Sequence, residues 1–217
     1  MFAKTILSVS IVLLPAVSLA QSTPLYVGAS FDISTFSPFR SYSANLYGPA
    51  LTIGYQLSPR WAIQTGASWG QRNDRLPNVS RPDILVTPTI YKEVNFDLRY
   101  TRLTIPVLAR FTLTDPTKPL QVDALFGPSW IHATSRNTTT FVLKAGGSDS
   151  QTSTVSDNNF SAGLGPSIRY AVSSHLQVTA NSVLQAEFGD GFDLVNRRFS
   201  DHLFLTTQVG VQYRFGQ

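Results

Sequence analysis

The chain has 217 residues, of which 42% are hydrophobic and 12% aromatic, with no cysteine and a formal net charge of +4. The lack of cysteine excludes a disulfide framework and a lipid anchor carried on cysteine. The positive excess is too small and too dispersed for nucleic-acid binding, and the length fits one domain.

The first stretch, MFAKTILSVSIVLLPAVSLA, carries one cation, Lys4, then an apolar run from Ile6 to Leu14. Pro15 and the small residues Ser18 and Ala20 follow. This pattern predicts a secretory signal peptide over residues 1–20, cleaved after Ala20. The run is too short to serve as a membrane-spanning helix. Residues 21–217 are then expected to form the exported domain. They contain no apolar stretch long enough for a spanning helix, so a membrane location requires a closed sheet.

Period-two alternation recurs along that domain. LYVGASFDIS sets Leu25, Val27, Ala29, Phe31 and Ile33 against Tyr26, Ser30 and Asp32. LTIGYQL and WAIQTGASW continue the pattern to Trp69. RLTIPVLARFTL sets Leu103, Ile105, Val107, Ala109 and Phe111 against Arg102, Thr104 and Arg110. LQVDALFGPSWI, FSAGLGPSIRYAV, LQVTANSVLQAE and LFLTTQVGVQYRF complete eight predicted strands. Each has a length suited to crossing a bilayer when tilted.

The connections alternate in length. Three are short: SPR at 58–60, DPTK at 115–118 and SSH at 173–175. Four are longer and polar, near 35–45, 71–92, 136–157 and 188–201. Tight turns at one end and long loops at the other are the habit of outer-membrane barrels. The 136–157 segment, rich in Ser, Thr and Gly, reads as a mobile loop. The fold class expected is all-β, an eight-stranded antiparallel up-and-down transmembrane β-barrel with both ends in the periplasm.

Alternation alone does not say which face is inside, because a soluble lipocalin-like carrier shares the same period. Three features favour an apolar exterior. Asp32, Arg102, Arg110, Asp123, Arg169, Glu187 and Arg214 all fall on the polar face, as an ion-pair network filling a narrow lumen would. After residue 20, lysine occurs only at 92, 118 and 144, in or beside connections. Tyr55, Trp61, Trp69, Phe111, Phe160 and Tyr170 lie on the apolar face near strand ends, with Tyr213 and Phe215, as an aromatic girdle at the bilayer interface would. Finally, Gln208, Gly210, Tyr213 and Phe215 resemble the C-terminal signal read by the barrel-assembly machinery, here followed by Gly216 and Gln217.

YTRLTIPVLARF at 100–111, LFGPSWIHA, SAGLGPSIRYAVS and the terminal GVQYRFG resemble strands of the outer-membrane protein beta-barrel domain family. That family includes PorT-like proteins and is related to small barrels of the OmpA and OmpX type. The resemblance implies fold and location more than activity.

Pro49, Pro106, Pro128 and Pro166 fall within predicted strands, where proline cannot donate to a ladder. Three follow glycine, and they read as bulges or bends near the external rim. His132, His175 and His202 have no metal-ligand spacing, and no nucleophile elbow or phosphate loop is present. Ser200, Asp201 and His202 point to alternating faces if extended and do not converge. No catalytic residue, cofactor or metal is expected. The expected partners are outer-membrane lipid and, during biogenesis, the assembly machinery. The loop at 71–92 carries Arg72, Arg75, Arg81 and Lys92 against Asp74 and Asp83, a positive rim for lipopolysaccharide phosphates or a protein partner. The leading functional reading is a structural or interaction protein. The alternatives are a narrow channel, a secretion-apparatus subunit and the lipocalin-like carrier.

Overall fold

A computed structural model describes residues 24–38, 44–76, 91–143, 145–188 and 202–215. The predicted signal peptide lies outside these residues. Eight strands follow in chain order: β1 (Leu25–Phe36), β2 (Ala44–Gln56), β3 (Trp61–Leu76), β4 (Tyr91–Thr112), β5 (Leu120–Leu143), β6 (Ser148–Ala171), β7 (Leu176–Phe188) and β8 (Leu203–Arg214). Each pairs antiparallel with its neighbours, and β1 pairs with β8 to close the ring. Eight strands enclose an interior that side chains can fill.

The short turns share a local solution. Leu57 and Ser58 N–H groups both donate to the Trp61 carbonyl, while Ser58 Oγ accepts from Trp61 N–H at 3.1 Å. The turn at Val172 and Ser173 repeats this on Leu176, with Ser173 Oγ accepting from Leu176 N–H at 3.0 Å. A serine hydroxyl thus replaces the partner that the turning backbone loses. The third turn uses Asp115, which accepts from both Thr117 N–H and Thr117 O–H. The start of β1 and the end of β8 lie at this rim: Gln56 N–H donates to Pro24 O, and Phe215 N–H to Leu25 O.

The strands run further than their alternation predicts. Residues 136–143 and 148–157 are strand, not loop. β5 and β6 pair without interruption from Leu120↔Tyr170 to Val142↔Ser148. The turn that joins them uses Gly146 and Gly147, both at positive φ (91° and 96°), which a side chain resists. Thr138 and Thr152 hydroxyls meet at 3.1 Å across the pair. β4 continues alongside as far as Tyr91. The result is a sheet of β3, β4, β5 and β6 that projects beyond the barrel.

The prolines are not bulges. Among the described residues the one register shift falls at Tyr91/Glu93, remote from all four. Instead, each proline keeps one neighbouring ladder and interrupts the other. Pro49 pairs with Phe31 on β1 while pairing with β3 lapses between Tyr47↔Gln71 and Ala50↔Ser68. Pro106 pairs with Ser129 while β3/β4 lapses, Pro128 with Ala162 while β4/β5 lapses, and Pro166 with Ala124 while β6/β7 lapses. A missing N–H removes a donor on one side only, so no inserted residue is needed. The glycines before three of the prolines make room there. A Cβ on Gly48 would strike the Trp69 carbonyl, and one on Gly165 the Ser182 carbonyl. At Pro106 the carbonyl facing the gap accepts from the Thr65 hydroxyl at 2.7 Å.

Candidate functional site

The exterior of the ring is apolar. Leu51, Phe160 and Leu164 stand 65%, 63% and 64% exposed, and Val27, Phe31, Ile63, Val107, Ile168 and Val209 join them around the barrel. A water-facing barrel would put these side chains inside. This outward face overturns the lipocalin-like alternative, whose ligand cavity needs the opposite sense.

The exposed rings lie toward both rims. Tyr55, Trp61, Tyr170 and Tyr213 belong to the end with the short turns, and Trp69 and Phe160 to the other. Phe111 is half-buried because it packs on Trp61, ring centres 4.7 Å apart. Along β6, Phe160 and Tyr170 are ten residues apart. That is about 33 Å of strand, or about 25 Å after a tilt near 40°, the height of an apolar band in such barrels.

The lumen is built in layers. At the end beside the short turns, Asp123 is fully buried and receives both Arg169 Nε at 2.6 Å and Arg169 Nη2 at 2.8 Å. Arg169 Nη2 also donates to Thr112 Oγ1 at 3.2 Å. Arg110 lies 3.8 Å from the same carboxylate, with its guanidinium carbon 5.3 Å from the centre of the Tyr26 ring. The Tyr26 hydroxyl donates to Gln64 Oε1 at 3.2 Å. Arg214 is half-buried in this end of the lumen.

An apolar layer follows, formed by Leu108, Leu125 and Val183. The sequence reading missed these residues. Each has the parity of the lumen charges on its own strand: Leu108 two before Arg110, Leu125 two after Asp123, Val183 four before Glu187. A cavity of about 30 Å³ beside them holds only a few waters.

The third layer centres on Arg102, 3% exposed. Its guanidinium carbon lies 3.7 Å from the Phe204 ring centre and 4.9 Å from that of Phe36. Arg102 Nη2 lies 3.6 Å from Glu187 Oε2, and Glu187 also accepts from Asn159 Nδ2 at 2.6 Å. Asp32 is buried nearby and accepts from the Ser34 hydroxyl at 3.3 Å. The seven charges are therefore not one network. They form two groups separated by aliphatic side chains.

In the last strand, Gln208 pairs with Asp32 on one side and Asn181 on the other. A Cβ on Gly210 would strike the Ala29 carbonyl. Tyr213 points outward, 44% exposed, and its ring stacks on His175. Phe215 lies edge-on to Tyr213, 5.0 Å away.

Within the described residues, two cations of the expected positive rim are paired. Arg72 is neutralised by Asp74 at 2.7 Å and Arg75 by Asp97 at 3.2 Å. Arg81 and Asp83 lie outside the described residues, as does the side chain of Lys92. The register instead sets Arg99 directly opposite Arg136 across β4 and β5. Both are exposed. Like charges placed so repel one another. The histidines do not converge: His132 is on the projecting part of β5 with Asn158, and His175 is in a short turn at the opposite end. Among the described residues no three metal-ligating side chains gather.

A family model for the outer membrane protein beta-barrel domain matches residues 5–215. The chain belongs to that family. Its outer-membrane location and its inverted faces agree with each other. Among solved structures, Ail from Yersinia pestis is 13% identical with a TM-score of 0.50, covering 89% of this chain and 99% of that one. Ail in complex with the heparin analogue sucrose octasulfate gives 14% and 0.51, with the same coverage. OprG from Pseudomonas aeruginosa is 8% identical with a TM-score of 0.47, covering 91% of this chain and 98% of that one. At these identities the likeness to Ail is one of fold. A search of curated protein sequences returns no match.

Proposed function

We propose that this outer-membrane barrel is a non-catalytic structural and interaction protein, closed to solutes, that meets its partners through the sheet projecting above the membrane. The observation that carries this reading is the filled lumen. Arg110, Asp123 and Arg169 are each 3% exposed or less, and an aliphatic layer lies above them. Dehydrated charges locked to one another do not make a path for solutes.

The contact surface in this reading is the outward face of β4 and β5. Arg99 and Arg136 present two guanidinium groups to an anionic partner, and lipopolysaccharide phosphates suit them by charge and position. The face is continuous with the lipid-facing one: Trp130, His132, Thr134 and Arg136 share parity on β5. Within the same reading, the outward rings near each rim anchor the barrel at the bilayer interfaces, and Gln208, Gly210, Tyr213 and Phe215 direct its assembly. Residues 1–20 act as the cleaved export signal.

Two measurements test it. Purified protein reconstituted in a planar bilayer should show no steady conductance. A reproducible open level would favour the narrow-channel reading. Lipopolysaccharide titrated onto the detergent-solubilised barrel should bind the native protein and lose at least tenfold in affinity with Arg99→Glu/Arg136→Glu. Equal affinity would remove the proposed surface.

A further inference from the structure

The charge in the lower lumen does not balance. Asp123 is the carboxylate of that layer, and Arg169 occupies both of its oxygens. Arg110 shares that one carboxylate at 3.8 Å, so the layer holds more cations than anions. Arg110 is 2% exposed, and a guanidinium offers five N–H donors. Its Nη1 donates a long hydrogen bond to Gln212 Oε1 at 3.5 Å, and its Nε, though 3.8 Å from Asp123 Oδ2, has no hydrogen-bond acceptor. The other charged group close by is a further cation, the half-buried Arg214. Asp32 and Glu187 lie in the Arg102 layer, beyond Leu108, Leu125 and Val183. A buried cation so poorly matched is costly unless a negative charge reaches it.

A place for that charge adjoins Arg110. A cavity of about 10 Å³ is lined by Arg110, Gln212, Thr52, Thr179, Ser30 and Asn181. Gln212 is 4% exposed. Because its Oε1 faces the Arg110 guanidinium, its Nε2 is fixed as a donor, and that Nε2 has no acceptor in the protein. Asn181 Oδ1 is already taken by the Ser167 hydroxyl at 2.6 Å. The wall therefore offers donors from a buried amide and hydroxyls beside a surplus cation. Its volume admits one particle of about water size, which excludes phosphate, sulfate and carboxylates.

We infer that this cavity is a binding site for a single monatomic anion, a halide such as chloride, held by Gln212 Nε2 and the neighbouring hydroxyls against Arg110. The ion neutralises the lower lumen layer and fastens β1, β2, β4, β7 and β8 at one point. Water would satisfy the donors but not the charge, so the two occupants are separable by experiment.

The test uses the full barrel refolded in detergent. Crystals grown with sodium bromide should give an anomalous bromine peak within hydrogen-bond reach of Gln212 Nε2. The urea midpoint should rise with sodium chloride or bromide and stay flat with sodium gluconate at equal ionic strength. Gln212→Leu should reduce the halide-dependent shift, and Arg110→Met should abolish it. If Arg110→Met does not fold, Gln212→Leu alone decides the point. No anomalous peak together with equal midpoints in chloride and gluconate would mean that water occupies the cavity, and the inference would be overturned. A halide shift unchanged in Gln212→Leu would overturn it too, since the ion would then act elsewhere.

Discussion

The guanidinium carbon of Arg102 lies 3.7 Å from the centre of the Phe204 ring. Both residues are nearly inaccessible to solvent, and Arg102 Nε and Nη2 have no hydrogen-bond acceptor. The aromatic face is therefore a main compensation for burying this charge. A double-mutant cycle with Phe204→Leu and Arg102→Met should show a coupling of about 0.5–2 kcal/mol by urea unfolding. Purely additive effects would mean that the stack contributes only packing.

Asp123 should be the most sensitive residue of the lower layer. Asp123→Asn leaves Arg169 and Arg110 buried without a carboxylate, a loss of about 3–5 kcal/mol. Adding Arg169→Met should recover part of that loss, because the double variant buries one charge fewer. The readout is the temperature at which the folded form disappears on an unboiled electrophoresis gel. A double variant worse than Asp123→Asn alone would contradict the pairing.

Leu164→Arg separates a lipid-facing surface from a water-facing one. Leu164 is 64% exposed, between the outward rings Phe160 and Tyr170 of β6. An arginine facing the bilayer midplane costs about 2–4 kcal/mol. Folding into phospholipid vesicles should weaken by that amount. An unchanged folding equilibrium would place this face in water.

Asp115 gives a pH prediction. Thr117 N–H and O–H donate to its carboxylate and hold its pKa below the ordinary 3.8. A depressed carboxyl contributes its stabilisation above the ordinary value and loses it as pH falls through the lower, folded one. Thr117→Ala removes the side-chain donor, so the Asp115 carboxyl carbon signal in NMR should titrate at higher pH in that variant. An identical titration curve would refute the turn geometry.

The barrel was legible in the sequence where lipid imposes a pattern. Alternation around Val27, Phe31, Leu164 and Ile168 persists because one side of each strand must be apolar in a bilayer. Above the membrane neither face has that constraint. TTTFV and SQTSTV therefore lose the period and resemble a loop by composition, although the β-branched residues flanking Gly146 and Gly147 mark a hairpin. The aliphatic lumen layer was hidden for a related reason. In VLAR and DALF, apolar residues stand on both faces in succession, so Leu108 and Leu125 merge into the exterior stripe. Counting by twos from Arg110 and Asp123 assigns them to the inside. The partition of the seven charges into two groups depends on height in the lumen, which no single strand reveals.

The one-sided proline lapses also determine where the wall is compliant. Bonding is interrupted between β2 and β3, β3 and β4, β4 and β5, and β6 and β7. It is unbroken along β1/β2, β5/β6, β7/β8 and the closing β1/β8 pair. Under lateral pressure from the bilayer the cylinder would flatten like a hoop with soft joints in its wall. Its weld, where the first strand meets the last, is among the stiffest parts of the circumference.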